Sequence, residues 1–314
     1  MRLRSAIRLR FTAAVLAGLG CISGATLGWA QDAGSVLVNP DWLAANIDRA
    51  DVRLIDLGKR AEEFEAAHIP NAQHVDWRTD LADPANREHF GVLQPEAFEA
   101  LMSRLGIAAD TTVVLYDSHS NRVAARMFWT LRNYGHRDIR ILDGGSPAWE
   151  AAGGELTAES MPVTPTDYRI SIAEQPYRAE KADVQAALGR EGFEIVDARA
   201  PQFYTGESRG SRFGSDVPNA KIGRVPGAQN FFWADHVNDD GTYKSIDELR
   251  THYEALGITS EDNIITYCHI GLQASTPWFV LTQLLGYPNV RLYDGSMAEW
   301  ANADDTELVV DEND

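Results

Sequence analysis

The chain repeats itself at an offset of 151 residues, and this repeat constrains its fold more than any other feature. Val113-Val114-Leu115-Tyr116 returns as Ile264-Ile265-Thr266-Tyr267. Gly135 stands eight residues before Asp143, and Gly286 stands eight before Asp294. Each aspartate is followed six residues later by a tryptophan, Trp149 and Trp300. Further upstream Leu54-Ile55-Asp56 matches Ile195-Val196-Asp197, and His68-Ile69-Pro70-Asn71-Ala72 matches Arg224-Val225-Pro226-Gly227-Ala228. The second copy carries a longer excursion between Asp197 and Arg224. Two copies of one pattern predict two domains of one topology.

Within each copy short β-branched runs alternate with amphipathic stretches. That alternation implies an α/β fold, a mainly parallel sheet flanked by helices on both faces. In the first copy the pattern predicts strands at 52–56, 111–116 and 139–142, with helices at 60–67, 94–105, 122–134 and 146–151. In the second it predicts strands at 194–197, 263–267 and 290–293, with helices at 245–256 and 275–285. Pro277 suits the first turn of the last helix and Gly286 its end. The expected boundaries are a first domain at 36–153, a linker at 154–176, a second domain at 177–302 and an acidic tail at 303–314. The linker is rich in Thr, Pro and Glu without helical period, and reads as an extended surface segment.

The start of the chain reads as processing rather than fold. Arg2, Arg4, Arg8 and Arg10 precede an apolar run from Phe11 to Ile22, and Gly28-Trp29-Ala30 offers small residues where a signal peptidase cuts. Residues 1–30 are therefore expected to be a secretory signal peptide, and the mature chain periplasmic or secreted, with no stable membrane association. Their removal takes four arginines and no acids, and moves the formal charge from −18 to −22. An acidic chain without a basic stripe is not built for nucleic acid. The same cleavage removes Cys21 and leaves Cys268 the single cysteine, so no internal disulfide forms and a lone thiol faces an oxidising compartment. Cysteine and histidine are too sparse for a metal cluster, and no cofactor is expected.

Cys268 opens a tight loop between a buried strand and a helix: Tyr267-Cys268-His269-Ile270-Gly271-Leu272-Gln273-Ala274-Ser275. Backbone N–H groups of such a loop point inward and the helix start adds positive potential, which together favour a thiolate. A buried structural cysteine is the alternative for any one such residue. Arg199 follows a strand end and either faces this loop or pairs with Asp197. His269 either raises local potential or faces solvent. Arg209 and Arg212, in the excursion, either bind an anion or are solvated. Trp149, Trp233 and Trp278 read as core or cleft-wall aromatics.

Taken in order and in duplicate, these motifs resemble the tandem-domain rhodaneses, the sulfurtransferase family that includes thiosulfate and 3-mercaptopyruvate sulfurtransferases. The resemblance rests on Asp197-Ala198-Arg199, Val225-Pro226-Gly227-Ala228, the Tyr267-Cys268 loop with Gly271, and Tyr293-Asp294-Gly295 with Trp300. It implies two rhodanese folds, only the second catalytic; alignment puts Asp117 where Cys268 stands and Ser120 where Gly271 stands. It further implies that Cys268 takes a sulfane sulfur as a persulfide and passes it to cyanide or a thiol, with the N–H groups of Ile270, Gly271, Leu272, Gln273 and Ala274 stabilising charge and Arg199, His269 or Arg212 beside the substrate. The expected partners are a small-molecule sulfur donor and its acceptor, and the expected state is a monomer. The loop lacks the basic residues that often follow the cysteine in thiosulfate enzymes, and also the Cys-Gly-Ser-Gly type of the mercaptopyruvate enzymes. In the segment after Asp197-Ala198-Arg199, Phe203 stands before Tyr204 where the mercaptopyruvate enzymes carry an arginine. Thiosulfate or a related donor is favoured over mercaptopyruvate. A phosphatase of the cysteine-loop type needs an arginine six positions after the cysteine, where this chain has Ala274. A sulfur relay with little turnover and a thiol redox sensor remain as other readings.

Overall fold

The structure is a computed structural model, and it describes residues 35–172, 174–211, 213–214 and 216–311. The expected signal segment 1–30, the candidate residue Arg212 and the last three residues of the tail lie outside the described residues.

The first half contributes strands β1 (Leu37–Val38), β2 (Val52–Asp56), β3 (Ala72–His74), β4 (Thr112–Tyr116) and β5 (Ile139–Leu142). The second contributes β6 (Arg178–Ala179), β7 (Phe193–Asp197), β8 (Gln229–Asn230), β9 (Asn263–Tyr267) and β10 (Val290–Tyr293). Each set forms one parallel sheet, in the orders β1-β5-β4-β2-β3 and β6-β10-β9-β7-β8. The registers correspond. Strand β2 runs beside β4 from Val52↔Thr112 to Asp56↔Tyr116, and β7 beside β9 from Phe193↔Asn263 to Asp197↔Tyr267. The central strands are short continuous apolar runs because both faces are covered: Val113, Val114 and Leu115 expose nothing. Each ends in a buried tyrosine at the carboxyl edge of its sheet, where open parallel sheets place their ligand crevices.

Core elements lie where the repeat predicts them, with ends shifted by a residue or so. The edge strands β1, β3, β6 and β8 are new, and at two or three residues they are too short to show an alternating pattern. The expected helix at 275–285 is α-helical only over Ser275–Phe279 and continues as a π turn over Val280–Leu284, closed by Leu285 N donating to Val280 O at 2.9 Å. A π turn adds one residue per turn without altering composition, so no periodicity announces it. The expected linker has no regular structure, yet it is fastened down. Thr166 N donates to Ser103 O, Tyr168 N to Ser103 Oγ and Ile170 N to Glu99 Oε1, all on or beside the helix Pro95–Arg104, and Tyr168 is buried.

The two halves share one core. The helix Arg122–Asn133 is buried on nearly every side, because it packs on its own sheet with one face and on the segment Ser275–Phe279 with the other. Phe128 meets Phe279 edge to face with centroids 4.9 Å apart. Arg126 pairs with Asp294 at 2.7 Å, both side chains essentially without exposure, and Val92 N donates to the other oxygen of Asp294 at 2.9 Å. At the edge of the contact, Asn121 Nδ2 donates to Gly241 O and Tyr243 N to Asp143 Oδ1.

Candidate active site

Strand β9 delivers Cys268 to the carboxyl edge of the second sheet. Its backbone is fixed on both sides: Cys268 N donates to Ser296 Oγ at 3.1 Å, and Cys268 O accepts from Met297 N at 3.0 Å. The chain then reverses at Gly271, whose φ of +77° is easily reached without a Cβ. A Cβ there would stand 3.0 Å from Arg126 Nη1 and from Asp294 O, so the turn is seated on the ion pair that joins the halves. The reversal brings the backbone N–H groups of Ile270, Gln273 and Ala274 around the cysteine sulfur, where they favour its charged form. Three of the five candidate loop donors thus serve the sulfur, while Gly271 makes the turn and Leu272, buried, packs into the core.

Burial corrects the expected thiolate. Cys268 exposes no surface, and this desolvation raises its pKa above the ordinary cysteine value despite the three N–H donors, which pull it down. The resting sulfur is therefore a thiol near neutrality, inside a cradle shaped for an anion.

The flanking candidates separate. Arg199 forms a buried, two-pronged ion pair with Asp197, Nε to Oδ1 at 2.9 Å and Nη2 to Oδ2 at 2.6 Å, and Nη2 also donates to Gly223 O. Burial opposes its charge, but the Asp197 carboxylate overrides this and the pKa is raised. Tyr267 OH donates to the same carboxylate at 2.6 Å, so Asp197, Arg199 and Tyr267 form one network that anchors the end of β9. Arg199 is committed there and does not reach out to a ligand. His269 stacks edge-on against Phe203, and burial together with the Arg199 charge lowers its pKa to about 4. It is neutral at physiological pH and supplies no positive potential. Arg209 donates to the carbonyls of Asn219 and Ala220.

Beside the loop lies a cleft of about 540 Å³, lined by Phe203, Arg209, Gly210, Ser211, Phe213, Gly214, Asp216, His269 and Ile270. The excursion of the second copy forms its wall. Phe213 reaches across to the first half, edge-on to Phe90 at 5.0 Å and 6.1 Å from Trp77. The lining itself comes from the second half, and the first half meets it only through Trp77 and Phe90 behind Phe213. Trp278 and Trp149 are buried core, whereas Trp233 is half-buried and carries the guanidinium of Arg122 over its ring at 4.8 Å. Arg122 is a guanidinium near the site that the sequence did not single out. It lies 146 positions from Cys268 and reads as the ordinary first residue of a helix.

Among the described residues no cluster of three or more His, Cys, Asp or Glu side chains is arranged to hold a metal. No helix among them is long and apolar enough to cross a membrane.

Comparison with known proteins agrees with this geometry. The family described as "Rhodanese-like domain" matches twice, over residues 39–152 and 180–303. The chain is 41% identical over 270 residues to the "Sulfur carrier protein TtuD" of Thermus thermophilus, covering 85% of this chain and 94% of that protein. It is 38% identical over 272 residues to a "Putative thiosulfate sulfurtransferase" of Haloferax volcanii, covering 85% and 93%. Among solved structures it resembles SseA from Escherichia coli, a 3-mercaptopyruvate sulfotransferase, with TM-score 0.74 and 27% identity over 84% of this chain and 99% of that one. Two matched domains, two sheets of one order and relatives across nearly their full length leave one conclusion: the chain belongs to the rhodanese family, as a tandem of two rhodanese-like domains with the sulfurtransferase activity of that family.

Proposed function

We propose that the protein transfers the sulfane sulfur of thiosulfate, or of a related donor, through a persulfide on Cys268 to cyanide or a thiol. The observation that carries this reading is the sulfur of Cys268 at the focus of the Ile270, Gln273 and Ala274 N–H groups. In the first half-reaction the Cys268 thiolate attacks the outer sulfur of thiosulfate. A new S–S bond forms, the bond to the SO3 group breaks, and sulfite leaves with the bonding electron pair. In the second, cyanide attacks the outer sulfur, thiocyanate leaves, and the thiolate is restored. Each step exchanges one S–S or S–C bond for another and needs no oxidant. The loop donors stabilise the negative charge at each stage, as preorganised N–H groups do at an oxyanion. Burial holds the resting thiol protonated, so the active fraction increases with pH.

A relay role, in which the persulfide goes to a protein thiol, is favoured by the 41% identity to a sulfur carrier protein. Mercaptopyruvate is the alternative donor, by likeness to SseA. Function in the periplasm or outside the cell rests on the N-terminal pattern, and N-terminal sequencing of exported protein tests it. The central test is intact mass of the purified chain before and after thiosulfate, then after cyanide. The expected result is a gain of one sulfur, about 32 Da, that cyanide removes and that Cys268→Ser never acquires. A thiol that alkylates yet gains no sulfur from thiosulfate or mercaptopyruvate overturns the reading in favour of a redox sensor.

A further inference from the structure

A dianionic donor approaching a chain of formal charge −18 needs a local cation, and the obvious candidates are occupied. Arg199 is bound to Asp197, Arg209 holds two carbonyls and His269 is neutral. One guanidinium beside the site is different. Arg122 makes no side-chain hydrogen bond or ion pair among the described residues, and its Nε is buried without a partner. Buried donors are ordinarily satisfied, yet Arg53, Arg126, Arg132 and Arg178 also bury an Nε without a hydrogen-bond partner, so it is the place of Arg122 beside the site that sets it apart.

Arg122 opens the helix Arg122–Asn133 of the first half, directly after Asn121, whose side chain is tied across the domain contact to Gly241 O. Its guanidinium lies over the Trp233 indole at 4.8 Å. Trp233 is itself held beside the nucleophile: its N–H donates to Ala198 O, and Ala198 N–H donates to the carbonyl of Tyr267, the residue before Cys268. Arg122 is within electrostatic range of Cys268, so a thiolate there would favour its charge, while Arg78, ion-paired to Asp76 at 3.4 Å, opposes it. The Asp117 carboxylate, also in range, is already enclosed by the N–H groups of His119, Asn121, Val123 and Ala124 and makes no contact ion pair with Arg122. A guanidinium held over an indole, with N–H groups that have no protein partner, can offer them to two oxygens of a sulfonate.

We propose that Arg122, supplied by the half without a nucleophile, is the specificity-determining cation of the site and receives the sulfonate end of an anionic sulfane donor. This rests on the sulfur-transfer reading above. The role belongs to the packing of the two halves of the chain on each other rather than to the catalytic domain alone, and it selects donors whose leaving group carries oxyanion charge.

The test separates binding from chemistry. In a Cys268→Ser background, which has no nucleophile, sodium thiosulfate is titrated by calorimetry against the parent and against Arg122→Gln and Arg122→Lys. The expected result is binding weakened about tenfold or more by Arg122→Gln, the size of one lost charge-assisted pair, and by a smaller factor for Arg122→Lys, which keeps charge but loses the planar fork. Equal affinity in the parent and Arg122→Gln, or no binding by the parent, overturns the proposal. If Arg122→Gln does not fold, as a thermal melt will show, Arg122→Lys decides: affinity equal to the parent overturns the proposal. Sulfur uptake by the wild-type chain is read separately by mass. Uptake with no effect of Arg122 removes this inference and leaves the function standing. Arg122-dependent binding without uptake does the reverse.

Discussion

The loop after β4 and the loop after β9 use one backbone design for opposite ends. In the first half the carboxylate of Asp117 accepts N–H bonds from His119 at 2.7 Å, Asn121 at 3.0 Å, Val123 at 2.7 Å and Ala124 at 2.9 Å. In the second half the backbone N–H groups of Ile270, Gln273 and Ala274 lie around the Cys268 sulfur and favour its charged form. His119 and Val123 correspond to Ile270 and Ala274 at the repeat offset of 151. Both loops reverse through left-handed residues, Ser120 and Asn121 in one and Gly271 in the other. The difference is what fills the cradle. A carboxylate brings its own charge and saturates the donors. A buried thiol is neutral at rest and leaves them able to stabilise charge that arrives or develops. The comparison teaches that the anion cradle is a property of the fold, and that a single side chain at its focus decides whether it is structural or reactive.

The strongest way to break this comparison is pH. If Cys268 rests as a thiol because burial raises its pKa, the thiolate fraction and the rate of sulfur loading grow about tenfold per pH unit below that pKa, or roughly 100-fold from pH 7 to pH 9. Stopped-flow loading by thiosulfate measures this, and a rate flat from pH 6 to pH 9 would mean the second cradle already holds an anion. Next is Asp117→Ala. It strands four N–H groups, three of them buried, so the melting temperature should fall by about 5 °C or more, consistent with a loss of about 2–4 kcal/mol. Loading per folded molecule should stay within about threefold. A melt unchanged from wild type would show that the carboxylate is not what holds the first loop. Gly271→Ala tests the reversal: a Cβ at φ +77° and 3.0 Å from Arg126 Nη1 should cost about 1–2 kcal/mol of stability and slow loading about tenfold, measured by melt and by mass. The smallest effect belongs to His269→Gln. A ring already neutral above about pH 4 should change the loading rate less than about threefold and leave the profile between pH 5 and pH 8 without a new limb.

Much of this was legible in sequence, for identifiable reasons. The repeat placed β4 and β9 because both are largely buried and carry β-branched and apolar runs ending in tyrosine. Cys268 stood out because it follows such a run and the equivalent position holds Asp117. What the sequence could not display depends on distance or depth. The Arg126–Asp294 pair joins residues 168 apart, and Arg122 acquires its place only when the first half docks on Trp233. The expected thiolate failed because loop donors are visible in a pattern whereas complete burial of the sulfur is not. Arg199 had two readings, and the aspartate two residues before it, aligned by the end of β7, holds it as an ion pair.

The Arg126–Asp294 pair has a consequence for the life history of the chain. The duplication produced two units of one topology, but the Arg126–Asp294 pair, closed off from water, now ties one to the other through their shared core. Nicking the 154–176 segment with a protease should therefore leave the fragments associated and melting in a single transition. With one core between them, the two halves are expected to unfold as one cooperative unit rather than as independently shuffled modules.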